Sequence, residues 1–179
     1  MSVFVYVATS LDGFIAAEND DLSWLSEIPN PDQSDLGFAD FMSRVDALVM
    51  GRRTYEKVAS FGVWPYEKPV FVLSKTLGSL SADAEKKVEV ISGDPESVIT
   101  QLNAKGHGNL YVDGGITIQN FLERDLVDEM IITRVPVLLG SGIPLFGHLE
   151  QPLRFSLEKT EVLVGSLVKS YYRRLRSEE

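Results

Sequence analysis

The chain has no cysteine and only two histidines. The first absence excludes disulfide staples, thiolate metal sites and cysteine nucleophiles together, and the second leaves too few imidazoles for a metal centre. A cysteine-free chain also suits a reducing cytoplasm. No run approaches the ~18 consecutive apolar residues that span a bilayer, so no membrane partner is expected. The opening Met1-Ser-Val-Phe-Val-Tyr-Val-Ala8 lacks the basic flank of a signal peptide and reads as a strand. Basic charge is scarce, with 17 Lys and Arg against 26 Asp and Glu and a net charge of −9. That balance argues against a nucleic-acid partner, whose phosphates would be repelled over most of the surface. An anionic cofactor could bind only where cations cluster locally. Neither G-x-G-x-x-G nor the P-loop pattern occurs, so the familiar nucleotide fingerprints are missing.

What is present is ordinary for a globular protein: 179 residues, 44% apolar and 24% charged. The expectation is one domain over residues 1–179, with strands alternating with helices in an α/β layered fold. Val3 to Ala8 is a β-rich run ending in the turn Ser10-Leu-Asp-Gly13. Ser34-Asp35 caps a helical stretch in which Leu36, Phe38, Phe41, Met42 and Val45 recur at helical spacing. Ala47–Met50, Val70–Leu73, Val88–Ile91 and Leu110–Val112 are short buried strands. Gly51-Arg52-Arg53-Thr54, Asp94-Pro95-Glu96 and Ile116–Leu122 start or form helices, and Phe61 to Pro69 is loop. After Asp128 the period lengthens, and Met130–Val135, Leu153–Val162 and Ser166–Leu175 read as antiparallel strands at one end of the sheet.

Three strand ends carry small or basic residues: Gly51-Arg52-Arg53-Thr54, Ser74-Lys75 and Asp113-Gly114-Gly115. Ligands of open parallel sheets sit beyond the carboxyl ends of the strands, and helix N-termini there favour phosphate. Glycine lets backbone approach a pyrophosphate, and arginine offers planar paired donors. Arg52, Arg53 and Lys75 are thus the local cation cluster an acidic protein needs. The alternative is a solvated Arg-Arg face and ordinary glycine turns.

In series, these strings resemble the dihydrofolate reductase superfamily, including the reductase domain of bifunctional riboflavin-biosynthesis enzymes. Ser10-Leu-Asp-Gly-Phe-Ile-Ala16 is similar to the mobile loop after the first strand. Ala47-Leu-Val-Met-Gly-Arg-Arg-Thr-Tyr-Glu56 resembles the phosphate motif, and Val70-Phe-Val-Leu-Ser-Lys75 the ribose-phosphate strand. Val112-Asp-Gly-Gly115 with Phe121-Leu122 resembles the diglycine motif. Pro136-Val-Leu-Leu-Gly-Ser-Gly-Ile-Pro-Leu-Phe146 is similar to riboflavin-type members in particular. The resemblance implies a three-layer fold with a mostly parallel twisted sheet, an antiparallel C-terminal end, and helices on both faces. It implies NADPH as cofactor, a small heterocyclic substrate of pterin or ribosylaminouracil type, and a homodimer.

By the same resemblance, Gly51, Arg52, Arg53, Thr54, Ser74 and Lys75 hold cofactor phosphates. Gly114, Gly115 and Ile116 pass beside pyrophosphate and nicotinamide, through a turn that is strained and sometimes cis in the family. Ala8 and Ile15 line the nicotinamide pocket, under a loop from Ser10 to Trp24 that closes over it. Asp35, sixteen residues ahead of Gly51, matches the carboxylate that dihydrofolate reductases use as proton source, with Thr133 as its accompanying hydroxyl. Burial would raise the pKa of Asp35 into a useful range; the competing role is helix N-cap. Asp12 is a second acid, with turn formation as its competing role. The zinc deaminase signature of the bifunctional enzymes needs cysteine and is not in this chain. The mixture of motifs leaves a genuine dihydrofolate reductase, or an NADP-binding protein without turnover, as alternative readings.

Overall fold

A computed structural model describes residues 1–75 and 88–176. Ten strands and five helices follow one another as β1 (Ser2–Thr9), β2 (Phe14–Ala16), α1 (Ser23–Ser26), α2 (Phe38–Ser43), β3 (Ala47–Gly51), α3 (Arg52–Ala59), β4 (Val70–Leu73), β5 (Val88–Ile91), α4 (Pro95–Ala104), β6 (Asn109–Asp113), α5 (Gly115–Glu123), β7 (Glu129–Arg134), β8 (Ile143–Pro144), β9 (Phe155–Leu163) and β10 (Leu167–Arg174). Eight strands form one sheet in the order β5-β4-β3-β6-β1-β7-β10-β9.

The strand from β5 across to β7 are parallel, and β10 and β9 close the sheet antiparallel. The antiparallel end therefore starts one strand later than the period suggests. β7 pairs parallel with β1 and antiparallel with β10. Its run Met130-Ile-Ile-Thr133 is buried, and a strand covered on both faces carries no alternation from which direction could be read.

Alternate residues of the central strands point to opposite layers. Val3, Val5 and Val7 of β1 pack with Val49, Val112 and the buried faces of α4 and α5. Phe4 of β1 packs with Leu48, Met50, Tyr111 and Phe41 of α2 on the other face. Phe38 also lies in this second layer, stacking edge-on to Tyr6 at 5.7 Å. A small second sheet, β2 with β8, folds the segment after β1 back over the sheet's carboxyl ends. Pairing across 127 positions is not visible in a three-residue strand's own sequence.

α2 is shorter than its apolar spacing suggests. Leu36 and Gly37 both take positive φ, 55° and 83°, so the helix cannot extend back to Ser34-Asp35. Buried Lys169 of β10 props this turn from below, its Nζ donating to the Leu36 carbonyl (2.8 Å) and the Tyr6 hydroxyl (3.1 Å). The basic C-terminal run is held by ion pairs. Arg174 forms a two-pronged pair with Asp125, and Arg176 pairs with Asp128. Among the described residues no helix is long and apolar enough to cross a membrane.

Candidate active site

A cleft of about 990 Å³ runs along the carboxyl ends of β1, β3, β4 and β6. Ala8, Ile15, Gly51, Arg52, Arg53, Thr54, Ser74, Lys75, Gly114, Gly115 and Ile116 all line it. Strand register explains why residues so far apart in sequence meet. Met50 aligns with Asp113 across β3 and β6, and Gly51 aligns with Leu73 across β3 and β4. The three motif-bearing loops therefore leave the sheet side by side.

Two helices of eight and nine residues, α3 and α5, begin at this edge. Their free N–H groups and positive dipole ends face the cleft, alongside Arg52, Arg53 and Lys75. Gly114 is required where it stands. Its φ is 90°, and a Cβ there would lie 2.1 Å from Oγ1 of Thr54. A Cβ at Gly115 would meet Ile143 at 2.9 Å and Ile15 at 3.1 Å. Gly114 thus takes a φ that only glycine adopts without strain, and no cis peptide bond occurs among the described residues. A backbone this bare, flanked by two helix N-termini and three cations, fits the pyrophosphate of a dinucleotide.

The arginines have partners. Nε of Arg52 bonds Glu56 at 2.6 Å, one helical turn on, and Nη2 of Arg53 bonds Asp20 at 2.6 Å. Both pairs are solvent-accessible and exchangeable for a stronger anion.

Asp35 and Thr133 are not brought to the cleft wall. Asp35 is exposed, and its two carboxylate oxygens each accept 2.9 Å bonds, from the Gly37 and Ala39 amides. These bonds hold its carboxyl below the usual carboxylate range, the reverse of the shift expected for a buried acid. Of the two roles open to Asp35, the geometry is that of the cap. Asp35→Ala should lower the melting temperature while leaving turnover within about twofold, as loss of a cap does. A hundredfold fall in kcat at unchanged stability would return Asp35 to the chemistry. Thr133 is buried on β7 between Ala8 and Lys169 in register, on the α2 side of the sheet. Asp12 accepts from Ser10 (2.5 Å), Leu139 and Gly140 (2.8 Å), so it ties the first turn to the segment before β8.

Among the acids that line the cleft, Asp113 has a raised carboxyl pKa, and it stands at the end of β6 directly before the two glycines. It lines the cleft with Tyr6 and Tyr66. Oδ1 accepts from the Gly114 amide at 2.8 Å. Burial pushes its carboxyl up to about 6, outweighing the hydrogen bonds that favour the charged form. Tyr111 lies beside it, but its single hydroxyl proton goes to the Tyr6 carbonyl at 2.9 Å. That hydroxyl can therefore accept from a protonated Asp113. Burial likewise raises Tyr66 and Tyr111, and Tyr6 to about 12, so all three stay neutral. The available signal was an acid at the last position of a strand, directly before two glycines.

The RibD C-terminal domain family matches residues 1–169. A crystal structure described as a putative riboflavin biosynthesis protein from Shewanella sp. PV-4 superposes with a TM-score of 0.94 at 52% identity, covering 98% of this chain and all of that one. The uncharacterized Bacillus subtilis protein YwjB is 36% identical over 94% of this chain and 95% of its own length. More distant is a dihydrofolate reductase from Enterococcus faecalis complexed with NADP(H), which shares the fold at a TM-score of 0.68 and 17% identity, covering 97% of this chain and 96% of that one.

Proposed function

Because the chain belongs to the RibD C-terminal domain family, we propose that it is an NADPH-dependent reductase of a flat, nitrogen-rich heterocycle of the pterin or ribosylaminouracil type. The single observation that carries this reading is the convergence of eleven motif residues on one cleft containing an acid with a pKa near 6. The dinucleotide, when bound, supplies a hydride to the substrate. The chain's own residues supply the rest.

Arg52, Arg53, Thr54, Ser74 and Lys75 bind the phosphates, and Lys75 and Arg52 select the 2′-phosphate by charge. Gly114 and Gly115 admit the pyrophosphate close to backbone amides. Ala8, Ile15 and Ile116 present apolar surface to the nicotinamide and exclude water from it. Reduction of a C=N or C=O bond also consumes a proton, and Asp113, at the cleft wall, keeps its proton to a higher pH than an ordinary carboxyl and is the group that supplies it. This assigns to Asp113 the part the family resemblance gives to Asp35. The exposed position of Asp35 weighs against a dihydrofolate reductase proper. The long β9 edge, with Leu157 and Val162 exposed, supports pairing of two chains through their sheets in a cytoplasmic homodimer.

Titration with NADPH and NADH separately tests the reading. NADPH should bind at least about tenfold tighter than NADH, an advantage that Arg52→Ala or Lys75→Ala should largely remove. If neither dinucleotide binds, the reductase reading fails. If NADPH binds but no pterin or ribosylaminouracil is reduced, a binding protein without turnover takes its place.

A further inference from the structure

Between β2 and α1 the chain forms a single 3-10 turn, Glu18–Asp20. Asn19 and Asp20 both take left-handed backbone there, with φ of 59° and 58°. That region is uncommon for residues other than glycine, although Asn and Asp tolerate it best. The turn is closed by the Ala17 amide donating to the Asp21 carbonyl at 2.9 Å. It delivers the Asp20 carboxylate to Arg53 at 2.6 Å, and both residues line the cleft. Lys57, one turn along α3 from Arg53, also lines the cleft, and the Asp21 carboxyl is held low first by hydrogen bonds from Ser23 and to a smaller extent by the Lys57 charge. An acidic loop thus lies against a basic ridge of α3 at the cleft. Trp24 follows at once and is buried against Val135 and Leu167, so this end of the loop is anchored.

We infer that Asp20 is an internal competitor for the phosphate site: it takes the place of a phosphate on Arg53, and a phosphate-bearing ligand must displace it. The inference rests on the proposed reading of Arg53 as a phosphate ligand. Asp20 occupies Nη2 of Arg53 at 2.6 Å, so a ligand phosphate that takes the guanidinium's paired donors must compete with the loop carboxylate for that nitrogen. An accessible carboxylate pair is weak, whereas a doubly charged phosphate bonded to the same fork is stronger. Ligand entry therefore exchanges Arg53 from Asp20 to phosphate and frees residues 17–22, whose left-handed turn is held in place partly by that pair.

Calorimetric titration with NADPH, and with inorganic pyrophosphate as a minimal probe, tests the competition. Asp20→Asn keeps the side chain's shape and should tighten both ligands by about two- to fivefold, the strength of one accessible ion pair. In an Arg53→Ala background the same substitution should change neither affinity. Hydrogen exchange of the protein alone gives a second readout. Asp20→Asn and Arg53→Ala should each speed exchange at amides 17–22, and the double variant should add nothing further. Unchanged or weakened NADPH binding in Asp20→Asn overturns the latch while leaving the cofactor site intact, provided Arg53→Ala still weakens NADPH. Failure of NADPH and pyrophosphate to bind any variant overturns both the latch and the reductase reading.

Discussion

Asp113→Asn is expected to slow substrate reduction by about two to three orders of magnitude, the range of a lost general acid, while NADPH affinity changes little. Asparagine keeps the shape and can still accept the Gly114 amide bond, so the diglycine turn should survive. The pH profile separates this role from a merely structural one. In the parent, kcat/KM should fall as pH rises through about 6, where the carboxyl loses its proton. In the variant that limb should flatten.

The substitution should move stability the opposite way from activity. The folded-state pKa near 6 exceeds the ~3.9 of an unfolded aspartate. Between those values the folded chain binds more protons, so stability from this group is fully present at low pH and is lost as pH rises through 6. At pH 7 or 8 the buried carboxylate is therefore a burden that Asn removes. The variant should be more stable there by about 1–2 kcal/mol, less than the full shift because the cleft admits solvent. Below pH 4 that advantage should vanish. An Asp113→Asn enzyme that retains most of its rate, with an unaltered pH profile, would remove Asp113 from the chemistry.

Gly114→Ala carries the second large effect. The position has a φ of 90°, and the new methyl would stand 2.1 Å from Oγ1 of Thr54. Backbone strain and overpacking together should cost about 2–4 kcal/mol, read as a clear fall in denaturant midpoint. The turn should also move away from the cleft and weaken NADPH by more than about tenfold, as a displaced anion-binding backbone would. Thr54→Ala on top of it should recover part of the stability, because the nearest obstructing atom is gone, but not the strain in φ. Recovery of affinity is not expected, since Thr54 is itself one of the proposed phosphate ligands lining the cleft. A fully stable Gly114→Ala protein with parental affinity would mean that the turn has another conformation of equal energy.

Much of the cleft was legible in the sequence because its chemistry is local. A glycine is needed wherever φ is positive beside a packed threonine, and an arginine run after a short apolar strand marks a helix start. Those requirements act within a few residues, so Gly51-Arg-Arg-Thr54, Ser74-Lys75 and Gly114-Gly115 announced themselves. The layered α/β order was likewise carried by short apolar runs and turn residues. Strand direction at β7 was not, because it depends on which neighbour the strand meets, and a uniformly buried run is the same in either direction.

Which of two aspartates lines the cleft was not legible in the sequence. Asp35 and Asp113 are the same residue type, and each sits beside an apolar run at the end of an element. Two consecutive positive φ values turn Asp35 outward onto the free amides of α2, where hydrogen bonds keep it charged. Asp113 sits where β6 lies between β1 and β3, beside Tyr66 and Tyr111, and burial there raises its carboxyl to about 6. A carboxyl's pKa is set by the water and charges around it, and part of the wall around Asp113 comes from far along the chain, Tyr66 lying forty-seven positions before it. Sequence placed the glycines and cations at three strand ends; only the folded sheet put Asp113 in the cleft between them and raised its carboxyl while that of Asp35 was lowered.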